Sequence, residues 1–338
     1  MFDNKSILIT GGTGSFGHCF VKMTLEKYNP KKLIIFSRDE MKQWEMGKLY
    51  SNDARVRFFI GDVRDKERLY RALDGVDFVV HAAATKIVPT AEYNPFECVK
   101  TNIHGAMNVI DACIDCGVVG TVALSTDKAS SPVNLYGATK LVSDKLFVAG
   151  NAYSGEHKTK FSVVRYGNVM GSRGSVMPLF INLIKKGKLL TVTDPQMTRF
   201  MMSLEDSVNL VLYAFKHAKQ GEIFVQKAPA ATVADIATVM NEIFGKKEKV
   251  KIIGTRQGEK LFESLLSREE MIRAKDMGRF YCIPSDIRNL NHAKYFIEGQ
   301  KLISKSKDYT SHNTERLNLK QLKKLIMSLD FIRNEIDA

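Results

Sequence analysis

The stretch Ser6-Ile7-Leu8-Ile9-Thr10-Gly11-Gly12-Thr13-Gly14-Ser15-Phe16-Gly17 decides the fold. An apolar run of strand length passes directly into glycines spaced G-x-x-G-x-x-G, and these open a segment of helical spacing, Phe16 to Tyr28. Three glycines alone make only a turn. Between a buried strand and a helix they make a dinucleotide cradle. Gly11 permits the tight turn, Gly14 lets the backbone approach a pyrophosphate, Gly17 allows close helix–strand packing, and the helix N-terminus supplies partial positive charge.

The same alternation continues downstream. Lys32 to Phe36, Val56 to Ile60, Phe78 to His81, Thr121 to Ser125 and Phe161 to Arg165 read as buried parallel strands, and Lys66 to Leu73, Glu97 to Cys116 and Leu135 to Ala149 as helices between them. The series predicts an α/β fold, a doubly wound parallel sheet of the Rossmann type with a smaller α/β substrate domain. Residues 1–170 form the dinucleotide-binding domain, to which a segment near 196–226 returns, with Gly221 to Val225 as a strand at the sheet edge. Residues 171–338 form mainly the substrate domain and a C-terminal tail. Helices are expected at Leu179 to Lys186, at Val233 to Phe244 and over the apolar positions Leu317, Leu322, Leu325, Ile326 and Leu329, and the tail from Asn291 is polar and lysine-rich.

The chain has 338 residues, 44% of them hydrophobic and 26% charged, which excludes collagen-like and disordered classes. A net charge of +13 favours anionic partners. The densest basic stretch, Lys246 to Lys260, lacks interleaved aromatics for base stacking, so a phosphorylated small molecule is expected and no nucleic acid. No apolar run approaches the ~20 residues of a membrane-spanning helix. Five cysteines form no regular framework, which fits a reducing cytoplasm. Cys113 and Cys116 spell CxxC, but without a second pair or nearby histidines they read as two helix cysteines, and no metal is expected.

After the second strand stand Ser37 and Arg38, a hydroxyl and a guanidinium suited to a ribose 2′-phosphate, so NADP is favoured over NAD. The adjacent Asp39 is the alternative, as a ribose ligand. Asp62, after the third strand, is open to two readings: contact with the adenine amino group, or a helix N-cap. Tyr136 and Lys140 lie at i and i+4, on one helix face, where an ammonium favours the phenolate that a tyrosine base requires.

Through TGGTGSFG, His81-Ala82-Ala83-Ala84, Asn102, Ser125-Thr126 and the Tyr136/Lys140 pair, the chain resembles the extended short-chain dehydrogenase/reductases. Ser125-Thr126-Asp127-Lys128, Arg165 to Val169, Gly171 to Val176, Met197 to Phe200 and Arg256-Gln257-Gly258-Glu259-Lys260 sharpen the likeness to the inverting UDP-N-acetylglucosamine 4,6-dehydratases, over nearly the whole chain. The retaining sugar-nucleotide dehydratases carry Asp-Glu where this chain has Asp127-Lys128.

The resemblance implies a tightly bound NADP, regenerated in each turnover and held by Gly11, Thr13, Gly14, Ser15, Phe16, Gly17, Ser37, Arg38, Asp62, Val63, Ala82, Ala83, Asn102, Tyr136 and Lys140. It implies that Tyr136, supported by Lys140, takes the C4 hydroxyl proton as the C4 hydride leaves, that a deprotonated Lys128 removes the acidified C5 proton, and that a protonated Asp127 serves the departing C6 hydroxyl. Hydride return to C6 and a proton reaching C5 from the opposite face then invert that centre. Lys86, Thr126, Asn168, Arg173, Arg199, Arg256 and Glu259 are implied to bind UDP-N-acetylglucosamine, and a homo-oligomer is implied as well.

Gln257 and Thr85 depart from the family pattern without removing a catalytic group. Asn134 to Phe147 resembles the flagellin pseudaminic acid branch, whereas Gln226 to Thr232, Gly254 to Met277 and Ser311 to Leu317 resemble the capsule or O-antigen branch. Two rival readings share the fold. A UDP-sugar 4-epimerase leaves Asp127 and Lys128 without a task, and an NADP-binding regulatory protein leaves the Tyr136/Lys140 pair without one. Arg38→Ala is expected to weaken NADP binding far more than NAD binding in calorimetric titration, and equal losses would remove Arg38 from recognition of the 2′-phosphate.

Overall fold

The computed structural model describes residues 1–246, 250–285 and 303–336. Residues 247–249 of the expected basic stretch and the beginning of the lysine-rich tail lie outside the described residues.

Strand β1 (Ser6–Thr10) is buried along its whole length. Its alternate side chains serve both faces of a sheet: Ile7 and Ile9 pack with Phe20 and Val21 of helix α1 (Ser15–Lys27), while Leu8 packs with Leu69 and Val109 on the other side. There follow β2 (Lys32–Ser37), α2 (Glu40–Leu49), β3 (Val56–Ile60), α3 (Lys66–Leu73), β4 (Phe78–His81), α4 (Val88–Tyr93), α5 (Pro95–Val99), α6 (Gly105–Asp115), β5 (Gly120–Leu124), α7 (Leu135–Tyr153) and β6 (Lys160–Arg165). Helix α2 was not expected, because it buries only Gln43 and Met46 and so leaves almost no apolar period. The one helix expected over Glu97 to Cys116 is instead two, joined by a π-helical turn at Lys100–His104.

The second half contains α8 (Val176–Lys185), β7 (Thr191–Val192), β8 (Thr198–Phe200), α9 (Leu204–His217), β9 (Ile223–Gln226), β10 (Ala230–Thr232), α10 (Val233–Ile243), β11 (Lys251–Ile252), β12 (Ser264–Leu266), α11 (Arg268–Arg273), β13 (Lys275–Asp276), β14 (Phe280–Ile283), β15 (Tyr309–Thr310), α12 (Leu319–Met327) and α13 (Asp330–Ile336). The main sheet runs β13-β14-β9-β6-β5-β4-β1-β2-β3. Its strands from β9 to β3 are parallel, and β14 and β13 extend it antiparallel. The returning strand expected at the sheet edge is therefore interior: β9 pairs with β6 on one side and β14 on the other.

Two apolar clusters cover the two sheet faces, and a third, built from α8, α10, α12 and α13, forms the core of the smaller unit. Met177 and Phe180 of α8, Ile236 and Met240 of α10, and Leu322 and Ile326 of α12 are all buried there. Each lies on one helical stripe, which is why these short helices are stable only against one another.

The glycine turn is held by contact as well as by torsion. Gly11 has φ +66°, and a Cβ on Gly17 would lie 2.0 Å from the Gly12 carbonyl oxygen. A backbone atom cannot step aside as a side chain can, so Gly17→Ala is expected to cost about 1–3 kcal/mol by overpacking. An unchanged midpoint in denaturant unfolding would contradict this.

Candidate active site

Chain reversals at the C-terminal ends of β1, β4, β5 and β6 bring the sequence motifs to one edge of the sheet, where open α/β sheets bind ligands. At the end of β1 the N-cap of α1 is Gly14, with no side chain capping the first turn. The free N–H groups and the positive end of the helix suit a phosphate group, so the cradle fits a dinucleotide. Thr13 is buried, Phe16 stacks on Phe20, and Ser15 Oγ accepts a hydrogen bond from the Arg173 backbone N–H at 3.1 Å. Arg173 thus lies over the glycine turn. It stands outside the lining of the cavity described below, next to Gly174 and Ser175, which belong to that lining.

At the far end of the cradle, Ser37 is buried and accepts from Gln43 at 3.0 Å, and Arg38 lies 3.7 Å from Asp62. Asp39 is otherwise engaged: it N-caps α2 and pairs with Lys42 at 2.7 Å. The cap of α3 is Asp65, which disposes of the N-cap reading for Asp62; Asp62 instead pairs with Arg64 at 2.6 Å, and these interactions hold its carboxyl below the usual range against the effect of burial. Val63 is buried against Gly105.

Thr10 Oγ1 accepts from the backbone N–H groups of Ala82 and Ala83, so its own hydrogen points to Nδ1 of His81 at 2.9 Å. Burial holds His81 neutral, its pKa lowered to about 3. Asn102 is 1% exposed, and its amide is spent within the protein: it accepts from Thr85 N–H at 2.8 Å and donates to the Thr85 carbonyl and Thr139 Oγ1, both at 3.0 Å. These bonds tie the loop bearing Lys86 to α7.

Helix α7 presents the Tyr136/Lys140 pair. Its N-cap Asn134 accepts from Gly137 N–H and donates to the Gly258 carbonyl, both at 2.8 Å, so the Arg256 to Lys260 turn is fastened to the start of the helix. A Cβ on Gly137 would lie 2.1 Å from the Lys128 carbonyl, and its absence lets the Asp127-Lys128 segment lie directly on the helix. Burial pushes the Tyr136 phenol up to about 12, with the Lys128 charge and the Thr126 hydroxyl acting in the opposite direction. Lys140, 4% exposed, is held below the usual lysine range by burial, while Asp144, one turn on, opposes that effect.

Asp127 is 1% exposed. Its Oδ1 accepts from Thr126 Oγ1 and from Lys128 Nζ, each at 3.0 Å, and its Oδ2 is buried without a hydrogen-bond partner among the described residues. Burial raises its pKa, and the Lys128 charge works against the rise. Lys128 also reaches Glu263 Oε1, at 3.3 Å. Although burial disfavours the ammonium, Asp127 and Glu263 hold it above the usual lysine range. The two carboxylates thus outweigh burial and the neighbouring Arg199 charge.

Sequence reasoning missed Glu263, and with it Asp144 and Glu270. Arg165, 1% exposed, donates to Asp144 at 3.1 Å and to Glu270 at 2.8 Å, while Ser125 donates to Asp144 at 2.7 Å. The available signal was a charge inside an apolar run: Arg165 ends Phe-Ser-Val-Val-Arg, and Glu263 precedes Ser-Leu-Leu.

Beside this cluster a cavity of about 570 Å³ is lined by Asn168, Arg199, Arg256 and Glu259 together with Met170, Met197, Met201, Val233 and Ile236. Cationic and apolar walls together suit a molecule with an anionic group and a flat ring. Four of the seven residues assigned to the substrate meet here; Lys86 and Thr126 stand instead by Asp127 and Lys128. Cys113 is buried in α6 with Cys116 at its C-cap, and no metal-binding group of His, Cys, Asp and Glu occurs among the described residues. No helix among those residues is long and apolar enough to cross a membrane.

Residues 7–285 match the family described as "Polysaccharide biosynthesis protein", and residues 286–333 its C-terminal companion, "Polysaccharide biosynthesis protein C-terminal". The chain is 52% identical to a protein of Rickettsia akari (strain Hartford) named UDP-glucose 4-epimerase, over 99% of both chains. The structure of Pen from Bacillus thuringiensis is similar at TM-score 0.89 and 38% identity, covering 97% of this chain and 99% of that one. The dTDP-glucose 4,6-dehydratase DesIV from Streptomyces venezuelae, solved with NAD bound, shares the fold at TM-score 0.69 and 24% identity, over 76% of this chain and 86% of that one.

Asp144→Ala leaves the buried Arg165 guanidinium with half its counter-charge, and is expected to destabilise the protein by about 3–5 kcal/mol. Urea unfolding measures the loss, and a change below about 1 kcal/mol would show that solvent already reaches the cluster.

Proposed function

The chain belongs to the polysaccharide biosynthesis protein family, and from that premise we propose that it dehydrates UDP-N-acetylglucosamine across C5 and C6, with inversion at C5. The product of that reaction is UDP-2-acetamido-2,6-dideoxy-β-L-arabino-hexos-4-ulose, a precursor for surface glycans. The observation that carries this reading is the Asp127-Lys128 pair after β5 beside Tyr136, its carboxylate buried and its ammonium half-buried. A sugar C4 hydroxyl needs one base. An acid and a second base at the same place are useful only if a second carbon loses a proton and an oxygen leaves.

NADP is the cofactor in this reading, with the glycine turn and uncapped α1 holding the pyrophosphate, Arg38 the 2′-phosphate and Asp62 the adenosine end. Bound there, the dinucleotide supplies a hydride acceptor for C4 and a hydride donor for C6, and is recovered at each turnover. The diphosphate and uracil occupy the 570 Å³ cavity, with Arg199 and Arg256 against the charges and Asn168 at the sugar.

Tyr136 takes the C4 hydroxyl proton. The cost of a buried phenolate is offset by the Lys128 charge, and Lys140 lies one turn away on the same face. Asp127 and Lys128 share a proton across a 3.0 Å hydrogen bond. Transfer of that proton from the ammonium to the carboxylate, which burial favours, yields a neutral amine and a carboxylic acid in one move. The amine then takes the C5 proton, the acid protonates the C6 hydroxyl, water leaves, and the pair returns to its starting charges; C5 receives a solvent proton on the opposite face, and Tyr136 releases to solvent the proton it took from C4. A second reading, 4-epimerisation of a UDP-sugar, is favoured by the name of the Rickettsia relative. It uses Tyr136 and Lys140 alike and leaves C6 untouched.

Incubation of the purified protein with UDP-N-acetylglucosamine in D₂O, followed by proton NMR and mass spectrometry, separates the two. Loss of water, a C6 methyl signal and deuterium at C5 are expected, whereas unchanged mass with altered C4 configuration would establish the epimerase. Lys128→Ala is expected to reduce water loss at least a thousandfold, within the range that a single acid–base group contributes, while NADP stays bound. Turnover at the rate of the unmodified protein would remove Lys128 as base.

A further inference from the structure

Glu263 is 2% exposed and belongs to a segment fastened from two directions. Its backbone N–H donates to Ser311 Oγ at 3.0 Å, and its carbonyl accepts from Ser311 N–H at 2.8 Å. The same Ser311 hydroxyl meets Thr198 Oγ1 at 2.7 Å, and two residues beyond Glu263 the Leu265 carbonyl accepts from Arg165 at 3.0 Å. The carboxylate held in this way sends Oε1 to Lys128 Nζ, and Arg199 Nε stands 3.8 Å from the same oxygen. Oε2 is buried with no hydrogen-bond partner among the described residues. A carboxylate placed only to support the fold would have both oxygens satisfied.

We propose that Glu263 is a positioning residue of this site: it holds the Lys128 ammonium as a second carboxylate beside Asp127, and its charge governs when the Asp127-Lys128 pair gives up its proton. The use made of that proton rests on the dehydratase reading; the clamp does not. The charged and titratable groups facing Lys128 are Asp127, Glu263, Arg199, Lys86, Lys260 and Tyr136. Two of these are carboxylates, three are cations and one is a phenol, and Glu263 is the carboxylate that does not itself serve the sugar in that reading. Without its charge, both the ammonium and the Asp127 carboxyl lose a neighbour that favours their protonated forms, so both titrations move toward acid.

The test is amine labelling of the full-length protein at pH 8 with an acylating reagent, the rate at each lysine read by mass spectrometry and the exposed Lys216 serving as reference. The rate follows the fraction of neutral amine, so a shift of about one pH unit in Lys128 appears as a tenfold change. In Glu263→Gln, labelling of Lys128 relative to Lys216 is expected to rise about tenfold, and the pH profile of water loss to move about one unit toward acid on both limbs. Equal labelling and an unmoved profile in a folded variant would overturn the proposal, and a purely structural role would lower activity without moving either. Glu263→Asp, which withdraws the carboxylate by one methylene, is expected to give an intermediate rise, and it carries the test if the Gln variant does not fold. Labelling needs no sugar nucleotide. Should the protein prove to be an epimerase, the dehydratase reading fails while the Lys128 rates still decide the role of Glu263.

Discussion

The Arg165 guanidinium, buried at the end of β6, is the constraint around which the molecule is arranged. A lone cation in that position would be prohibitively costly, so Asp144 and Glu270 must both be in place when the chain folds. Asp144 lies on α7, one turn beyond Lys140, and Glu270 completes the capping box of α11 in the second half of the chain. One buried charge therefore sets α7 against the sheet and joins the later segment to it. Leu265, whose carbonyl also accepts from Arg165, carries that order to within two residues of Glu263.

The site is assembled by the same logic of compensation. Its paired charges draw partners from different parts of the sequence. Lys128 follows β5, whereas Glu263 opens β12; Asn134 caps α7, but its amide holds the Gly258 turn; Lys260 donates to the Ser130 carbonyl at 2.8 Å. The Rossmann half offers the cradle, the tyrosine and the acid. The second half supplies the counter-charge and the arginines of the cavity. Neither half contains a complete site, which gives the C-terminal segment around Ser311 a task despite its distance in sequence.

This division bears on how one scaffold supports either sugar dehydration or epimerisation. In both readings proposed above, the cradle and the Tyr136/Lys140 pair serve oxidation at C4, so on those readings a difference in outcome lies in the groups near C5 and C6. In the dehydratase reading proposed above those groups are Asp127 and Lys128, and the structure surrounds them with burial and with the Glu263 carboxylate. Reaction type is thus a property of a charge cluster and is invisible to the fold.

Period and local chemistry are legible in a linear chain, and they determined much here. Apolar runs marked six of the seven parallel strands, since residues buried on both faces leave no polar alternation, and the glycine spacing marked the turn where a Cβ would strike backbone. The i, i+4 relation of Tyr136 and Lys140 follows from helix geometry alone. Elements with little buried surface, such as α2, and the short antiparallel strand β14 escaped notice because tertiary contact, and not local pattern, makes them. Only the tertiary structure decided that Asn102 bonds to Thr85 and Thr139, that Arg173 covers the glycine turn and that Lys128 sits between two carboxylates. Those outcomes depend on partners far away in the chain, and the charge state of a buried group depends on distance and solvent exclusion, which a sequence does not contain.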